Sequence, residues 1–123
     1  MKSATRPRLV LVVDDDEMIR RLVRAVLEAD EFEVVEARDG ASALSLASER
    51  QPAVVVLDIM MPGIDGVEVC RRLDHDRAKV VILTARDDPR LEDECRAAGA
   101  DAFLTKPFSS VQLLDLIAEM LPA

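Results

Sequence analysis

Five short apolar runs, each followed by a segment with helical periodicity, constrain this chain more than any other feature. The runs are LVLVV (9–13), FEVVEA (32–37), AVVVL (53–57), KVVILT (79–84) and AFLT (102–105). Three of them are almost continuous in Val, Leu and Ile, the pattern of strands covered on both faces. Between the runs lie helices with recognisable ends. In residues 17–29, Ile19, Leu22, Val23, Val26 and Leu27 form an apolar stripe. Glu17, Arg20, Arg21, Arg24 and Glu28 occupy the other side, with favourable i,i+4 pairs. Residues 41–50 stop ahead of Pro52, and Asp65 caps a helix carrying Val69, Cys70 and Leu73. Asp88 followed by Pro89 opens another helix, which Gly99 stops. Ser109 and Gln112 make a capping-box pair ahead of Val111, Leu114, Ile117 and Leu121.

Strand and helix therefore alternate as βαβαβαβαβα, which predicts the α/β class: a doubly wound, five-stranded parallel sheet with five helices on its two faces. The order 2-1-3-4-5 suits five strands, although periodicity alone does not fix it. At 123 residues the chain is one domain, with residues 1–7 as a flexible lead-in and 8–123 as the folded unit. No apolar stretch nears the roughly 20 residues of a membrane span, and MKSATRPR lacks the apolar segment of a secretory signal. Both observations predict a cytoplasmic protein with no membrane partner. A net charge of −8, with arginines scattered among acids, argues against a nucleic-acid surface. Cys70 and Cys95 fall at apolar helix positions without metal-type spacing and read as buried free thiols.

The chemistry gathers where strands end. In a parallel sheet all carboxyl ends lie on one edge, and sites form there at the point where strand order reverses. That edge reads Asp14, Asp15 and Asp16 after the first strand, Asp58 after the third, Thr84 ending the fourth and Lys106 after the fifth. Taken singly, each has a plain explanation as a helix cap, a turn residue, β-propensity or a loop lysine. Together they form one acidic pocket with a cation and a hydroxyl. Two carboxylates about 5 Å apart repel by roughly 3 kcal/mol at an effective dielectric near 20, so three acids raise a pKa or recruit a cation. An all-oxygen donor set with room for water suits Mg²⁺. With Asp58 as nucleophile, the set suits phosphoryl transfer through an acyl phosphate. Pro62 and Gly63 supply the sharp turn that follows Asp58. His75, the only histidine, lies away from this edge and reads as a solvated loop residue.

From VLVVDDD through LDIMMPGIDG and ILTA to FLTKPF, nearly the whole chain resembles the receiver domain of bacterial two-component response regulators. The resemblance implies the flavodoxin-like fold, with Asp58 accepting phosphate from a phosphohistidine on a histidine kinase or histidine phosphotransfer protein. It implies Mg²⁺ held by the carboxylates of Asp15 and Asp58, by the Met60 carbonyl, and by Asp14 through water. It assigns Thr84 and Lys106 to the phosphoryl group, makes the Lys106–Pro107 peptide cis, and puts Phe103 at an aromatic switch position coupled to Thr84. Asp16 occupies a variable position and reads as part of the helix start.

Phosphorylation would then alter a protein-binding surface formed by helix 4, strand 5 and helix 5. Phe103 lacks the hydroxyl of the tyrosine found in many members. GADAF stands where members that drive DNA binding commonly show GADDY, and VQLLDLIAEML has no basic residue. A downstream protein target is the resulting expectation. The chain also reads as a possible excised N-terminal domain of a DNA-binding or enzymatic regulator. A Mg²⁺-dependent phosphatase of the haloacid dehalogenase type would carry a second carboxylate at position 60, where this chain has methionine. A flavodoxin would carry a Ser/Thr/Gly phosphate loop in place of DDD.

Overall fold

The computed structural model describes residues 8–60, 65–85 and 88–121. Strands β1 (Leu9–Val13), β2 (Glu33–Ala37), β3 (Val54–Asp58), β4 (Lys79–Thr84) and β5 (Ala102–Thr105) form one parallel sheet in the order β2-β1-β3-β4-β5. Helices α1 (Glu17–Ala29), α2 (Gly40–Arg50), α3 (Gly66–Arg72), α4 (Pro89–Ala97) and α5 (Ser110–Met120) connect and follow the strands. The residue-by-residue alternation of strands sorts the core into two halves. Val10, Val12, Val54, Val56, Val81 and Leu83 face α1 and α5, packing with Val23, Leu27, Leu113 and Ile117. Leu11, Val13, Val55, Leu57, Val80 and Ile82 face α2, α3 and α4, packing with Ala43, Val69, Cys70 and Cys95. The three continuous Val/Leu/Ile runs are the three central strands, buried on both faces as their composition requires.

Helix ends follow local chemistry. Asp16, Asp39, Asp65, Asp88 and Ser109 are N-caps whose side chains accept backbone N–H bonds, and Ser109 with Gln112 forms the full capping box. Gly99 follows α4 at φ +107, a conformation that strains any residue with a Cβ. The Pro62–Gly63 turn and the residue 1–7 lead-in lie outside the described residues.

Four readings are corrected by packing. At about 100° per residue, Leu22 points about 120° away from the direction shared by Val23 and Leu27, and it is exposed. Val111 is likewise exposed, about 140° from the buried pair Leu113 and Ile117, so Leu113 and not Val111 anchors α5. Arg20 and Arg24 do not simply face solvent, since both reach across to Glu36 on β2. His75 is not a solvated loop residue. Its Nε2 lies 2.6 Å from the Cys70 carbonyl, which makes it the donor, and its ring lies against Gly99. The two thiols are buried and free; burial pushes Cys70 up to about 12 and Cys95 up to about 11, so both stay protonated.

The α5 correction is measurable. Leu113→Ala should cost about 2–5 kcal/mol in urea unfolding, because it empties a fully buried site. Val111→Ala should stay within about 0.5 kcal/mol. Similar losses for both would restore the sequence-based assignment of the buried face.

Candidate functional site

The carboxyl edge of the sheet collects the residues that the sequence singled out. Asp14 follows β1 directly, where strand alternation turns it inward, and it is fully buried. Four bonds fix it. Its N–H donates to the Ala37 carbonyl at 3.2 Å. Its carbonyl accepts from Arg20 Nη1 at 2.7 Å. Its Oδ1 accepts from the Asp16 N–H at 2.9 Å, and its Oδ2 accepts from Lys106 Nζ at 3.0 Å. Asp15 is exposed, and Asp16 turns away to cap α1 through the Met18 N–H at 2.9 Å.

Asp58 ends β3 and is only 4% exposed. Its Oδ1 accepts from the Met60 N–H at 3.0 Å, and its Oδ2 lies 3.6 Å from Lys106 Nζ. Ligand oxygens of Asp14, Asp15 and Asp58 lie within 4.8 Å of one another. Thr84 is buried at the end of β4, and its carbonyl accepts from the Lys106 N–H at 2.7 Å, so the lysine backbone is held beside the threonine. The Lys106–Pro107 peptide is cis. Phe103 lies on β5, half-buried, with the Arg96 guanidinium 4.7 Å from its ring centroid. Ile82, Thr84, Leu91, Cys95 and Phe103 line a shared crevice between α4 and the sheet. Asp14, Asp15, Asp58 and Lys106 thus meet in one pocket, with Thr84 on its margin and Phe103 beyond it. The Met60 side chain is exposed, and its backbone N–H bonds Asp58. A separate cleft of about 250 Å³, lined by Leu44, Gln51, Arg72 and Arg77 among others, lies at the opposite edge where β3 and β4 begin.

Two residues of this neighbourhood were invisible to periodicity. Arg20 and Glu36 form an ion pair at 3.0 Å that backs the β1–α1 loop, and Arg24 joins it at 2.6 Å. The hydrogen bond from Arg24, ahead of that from Arg20, holds Glu36 below the usual carboxylate range. In sequence, nothing distinguishes Arg20 from Arg21, which pairs with Glu17 on the exposed face.

The electrostatics follow from burial. Asp58 is pushed from 3.8 to about 6, first by loss of water and then by the neighbouring Asp14 charge, against the pull of the Met60 N–H and Lys106. Burial alone would depress Lys106, but bonds and charges from Asp14 and Asp58 outweigh it and raise its pKa. The folded state therefore holds the Asp58 proton better than the unfolded chain does. The associated stability is present below about pH 4 and is lost as pH rises through about 6. In chelator at pH 8, Asp58→Asn should be more stable than wild type by about 1–3 kcal/mol in urea unfolding, with the gain shrinking towards pH 4. A gain independent of pH would show that Asp58 is not the titrating strain.

Residues 10–118 match the family model of the response regulator receiver domain. The response regulator MprA of Mycobacterium sp. (strain KMS) is 44% identical over 110 residues, which cover 88% of this chain and 48% of that protein. The transcriptional regulatory protein SrrA of Staphylococcus aureus is 40% identical over 101 residues, covering 81% of this chain and 42% of that protein. The chain thus spans about half the length of the curated relatives it matches. Among solved structures, the chemotaxis response regulator CheY4 of Vibrio cholerae superposes with a TM-score of 0.87 at 32% identity, covering 94% of this chain and 99% of that one. The BeF3-activated DrrB receiver domain superposes with a TM-score of 0.83 at 33% identity, covering 93% and 97%. The family match takes in all five strands but for Leu9, and nearly all of α5, and the chain belongs to the receiver domains of response regulators, a family of signalling modules.

Proposed function

We propose that Asp58 is the phosphoryl acceptor of this receiver, and that the donor is a phosphohistidine on a histidine kinase or histidine phosphotransfer protein. The observation that carries the reading is a buried carboxylate at a strand end, 3.6 Å from an ammonium and within 4.8 Å of two further acids. The donor set fits a hard divalent cation, since it is all oxygen and carries more negative charge than Lys106 offsets. Asp14, Asp15 and Asp58, with the Met60 carbonyl, would hold Mg²⁺. When bound, the ion supplies positive charge to the phosphoryl oxygens and relieves the repulsion among the carboxylates.

Every other part belongs to the chain. An Asp58 oxygen attacks phosphorus in line, forming the acyl phosphate as the phosphorus–nitrogen bond to the donor imidazole breaks. The bonding pair leaves with the imidazole nitrogen, which then takes up a proton. Lys106 neutralises one phosphoryl oxygen, and the Thr84 hydroxyl donates to another. Because Asp58 attacks only when ionised, phosphorylation should rise with pH through about 6 at low Mg²⁺. Thr84 and Phe103 line one crevice, so a phosphoryl group drawing on Thr84 can change the space beside the ring and alter the surface of α4, β5 and α5. The downstream target of that surface is a protein. The transcriptional role in the name of SrrA belongs to a protein about twice this length, and a DNA-binding output here would need a further domain. Among the described residues no helix is long and apolar enough to cross a membrane, which supports a cytoplasmic setting.

Asp58→Asn should abolish phosphate incorporation from acetyl phosphate, read by intact mass spectrometry, and chelating Mg²⁺ should abolish it in wild type. Full incorporation in the variant would remove Asp58 from the acceptor role. Thr84→Ala should still accept phosphate, because a single hydroxyl bond is worth roughly 1–3 kcal/mol while the charge is carried elsewhere. The variant should nevertheless lose most of the beryllofluoride-induced NMR shifts across residues 90–117. Shifts equal to wild type would end the proposed coupling through Thr84.

A further inference from the structure

We infer that Arg20 is a positioning residue for the cation-binding acids, acting through the backbone of Asp14 without touching the phosphoryl group; this rests on the function proposed above. One guanidinium serves two acceptors on different elements. Its Nη1 donates to the Asp14 carbonyl at 2.7 Å, and its Nε donates to Glu36 Oε1 on β2 at 3.0 Å. The side chain is 14% exposed, unlike the neighbouring Arg21 at 76%. A buried carbonyl requires a partner, and a charged donor on a fixed fork sets the orientation of the peptide as well as satisfying it. The other three bonds to Asp14 come from β2, from the following loop and from Lys106. Arg20 is the contact that ties the same peptide to α1. The direction in which the loop presents Asp14 and Asp15 therefore depends on it.

The arrangement also spares the pocket an added charge. Glu36 neutralises Arg20 locally, and Arg24 sits on the far side of Glu36 at 2.6 Å without contacting Asp14. Arg24 is therefore a built-in control, sharing the ion-pair network but not the carbonyl contact. A lysine at either position preserves net charge, while its single nitrogen cannot reproduce a fork that spans two acceptors.

The experiment compares wild type, Arg20→Lys and Arg24→Lys. Mg²⁺ affinity is measured by calorimetry, phosphorylation by acetyl phosphate across a Mg²⁺ series, and thermal melting in chelator. Arg20→Lys should weaken Mg²⁺ binding by about three- to tenfold, the range expected for losing part of one charge-assisted hydrogen bond. Its phosphorylation deficit should be recovered by added Mg²⁺. Arg24→Lys should bind Mg²⁺ like wild type, even if its metal-free melting temperature falls as far as that of Arg20→Lys. Unchanged affinity in Arg20→Lys, or an equal loss in Arg24→Lys, would overturn the positioning role while leaving Asp58 as acceptor. If Arg20→Lys shows no melting transition, Arg20→Gln replaces it with the same two outcomes. Wild type that accepts phosphate equally well in chelator would overturn the cation pocket itself, and the role of Arg20 with it.

Discussion

Everything at the carboxyl edge depends on how one ammonium is shared between two buried carboxylates. Lys106 Nζ lies 3.0 Å from Asp14 and 3.6 Å from Asp58, joining the end of β5 to the ends of β1 and β3 across the intervening β4. One positive charge cannot balance three negative ones, so the pocket is electrostatically incomplete by construction. Burying unpaired charge is costly, and it is tolerated here because the apolar halves of the sheet are large and closely covered. The displacement of Asp58 to about 6 is the local trace of that cost. On the proposed reading, a carboxylate held near its titration point beside a second acid and one ammonium favours a bound cation and, once ionised, serves as the nucleophile.

The parallel sheet is what makes the sharing possible. Each strand ends at the same edge, so residues distant in sequence arrive together without a long loop to carry them. Position within each strand then decides the role. Asp14 and Asp15 are adjacent and chemically identical, yet one is fully buried and the other exposed. The period of two at a strand end turns one inward beside Lys106 and leaves the other at the mouth of the pocket.

Strand boundaries were legible to within one residue because continuous β-branched runs bounded by acids and prolines admit few other readings. The helix caps Asp65, Asp88 and Ser109 were legible for the same local reason, whereas Asp39, the cap of α2, was not singled out. The acidic triad was readable from topology, since knowing which ends share an edge suffices to group Asp14, Asp15 and Asp58. What periodicity missed needs partners from elsewhere in the fold. Leu22 and Val111 look apolar in sequence, but only the position of α1 and α5 against the sheet shows that they point outward. His75 finds its place through Gly99, a contact between two loops. Arg20 differs from Arg21 only because Glu36 on the neighbouring strand and the Asp14 carbonyl lie on its side of α1.

On the proposed reading, the sharing of Lys106 also determines how a chemical event at Asp58 reaches the surface. Phosphorylation would replace one carboxylate charge by a phosphoryl group carrying up to two, shifting the balance of attraction on Lys106 from Asp14 towards position 58. The lysine is not free to follow on its own. Its backbone N–H is bonded to the Thr84 carbonyl at 2.7 Å, and Thr84 pairs with Thr105 in the β4–β5 ladder. A pull on the ammonium is therefore felt by the ends of two strands at once, on the side where Phe103 and the crevice under α4 lie. Arg96 restrains movement of that ring. Its cation–π contact at 4.7 Å is worth about 0.5–1 kcal/mol at an exposed site, a few-fold in population and no more. A restraint of that size holds the ring where it lies and, on the proposed reading, yields to a change in charge at Asp58, whose electrostatic reach inside the pocket is several times larger.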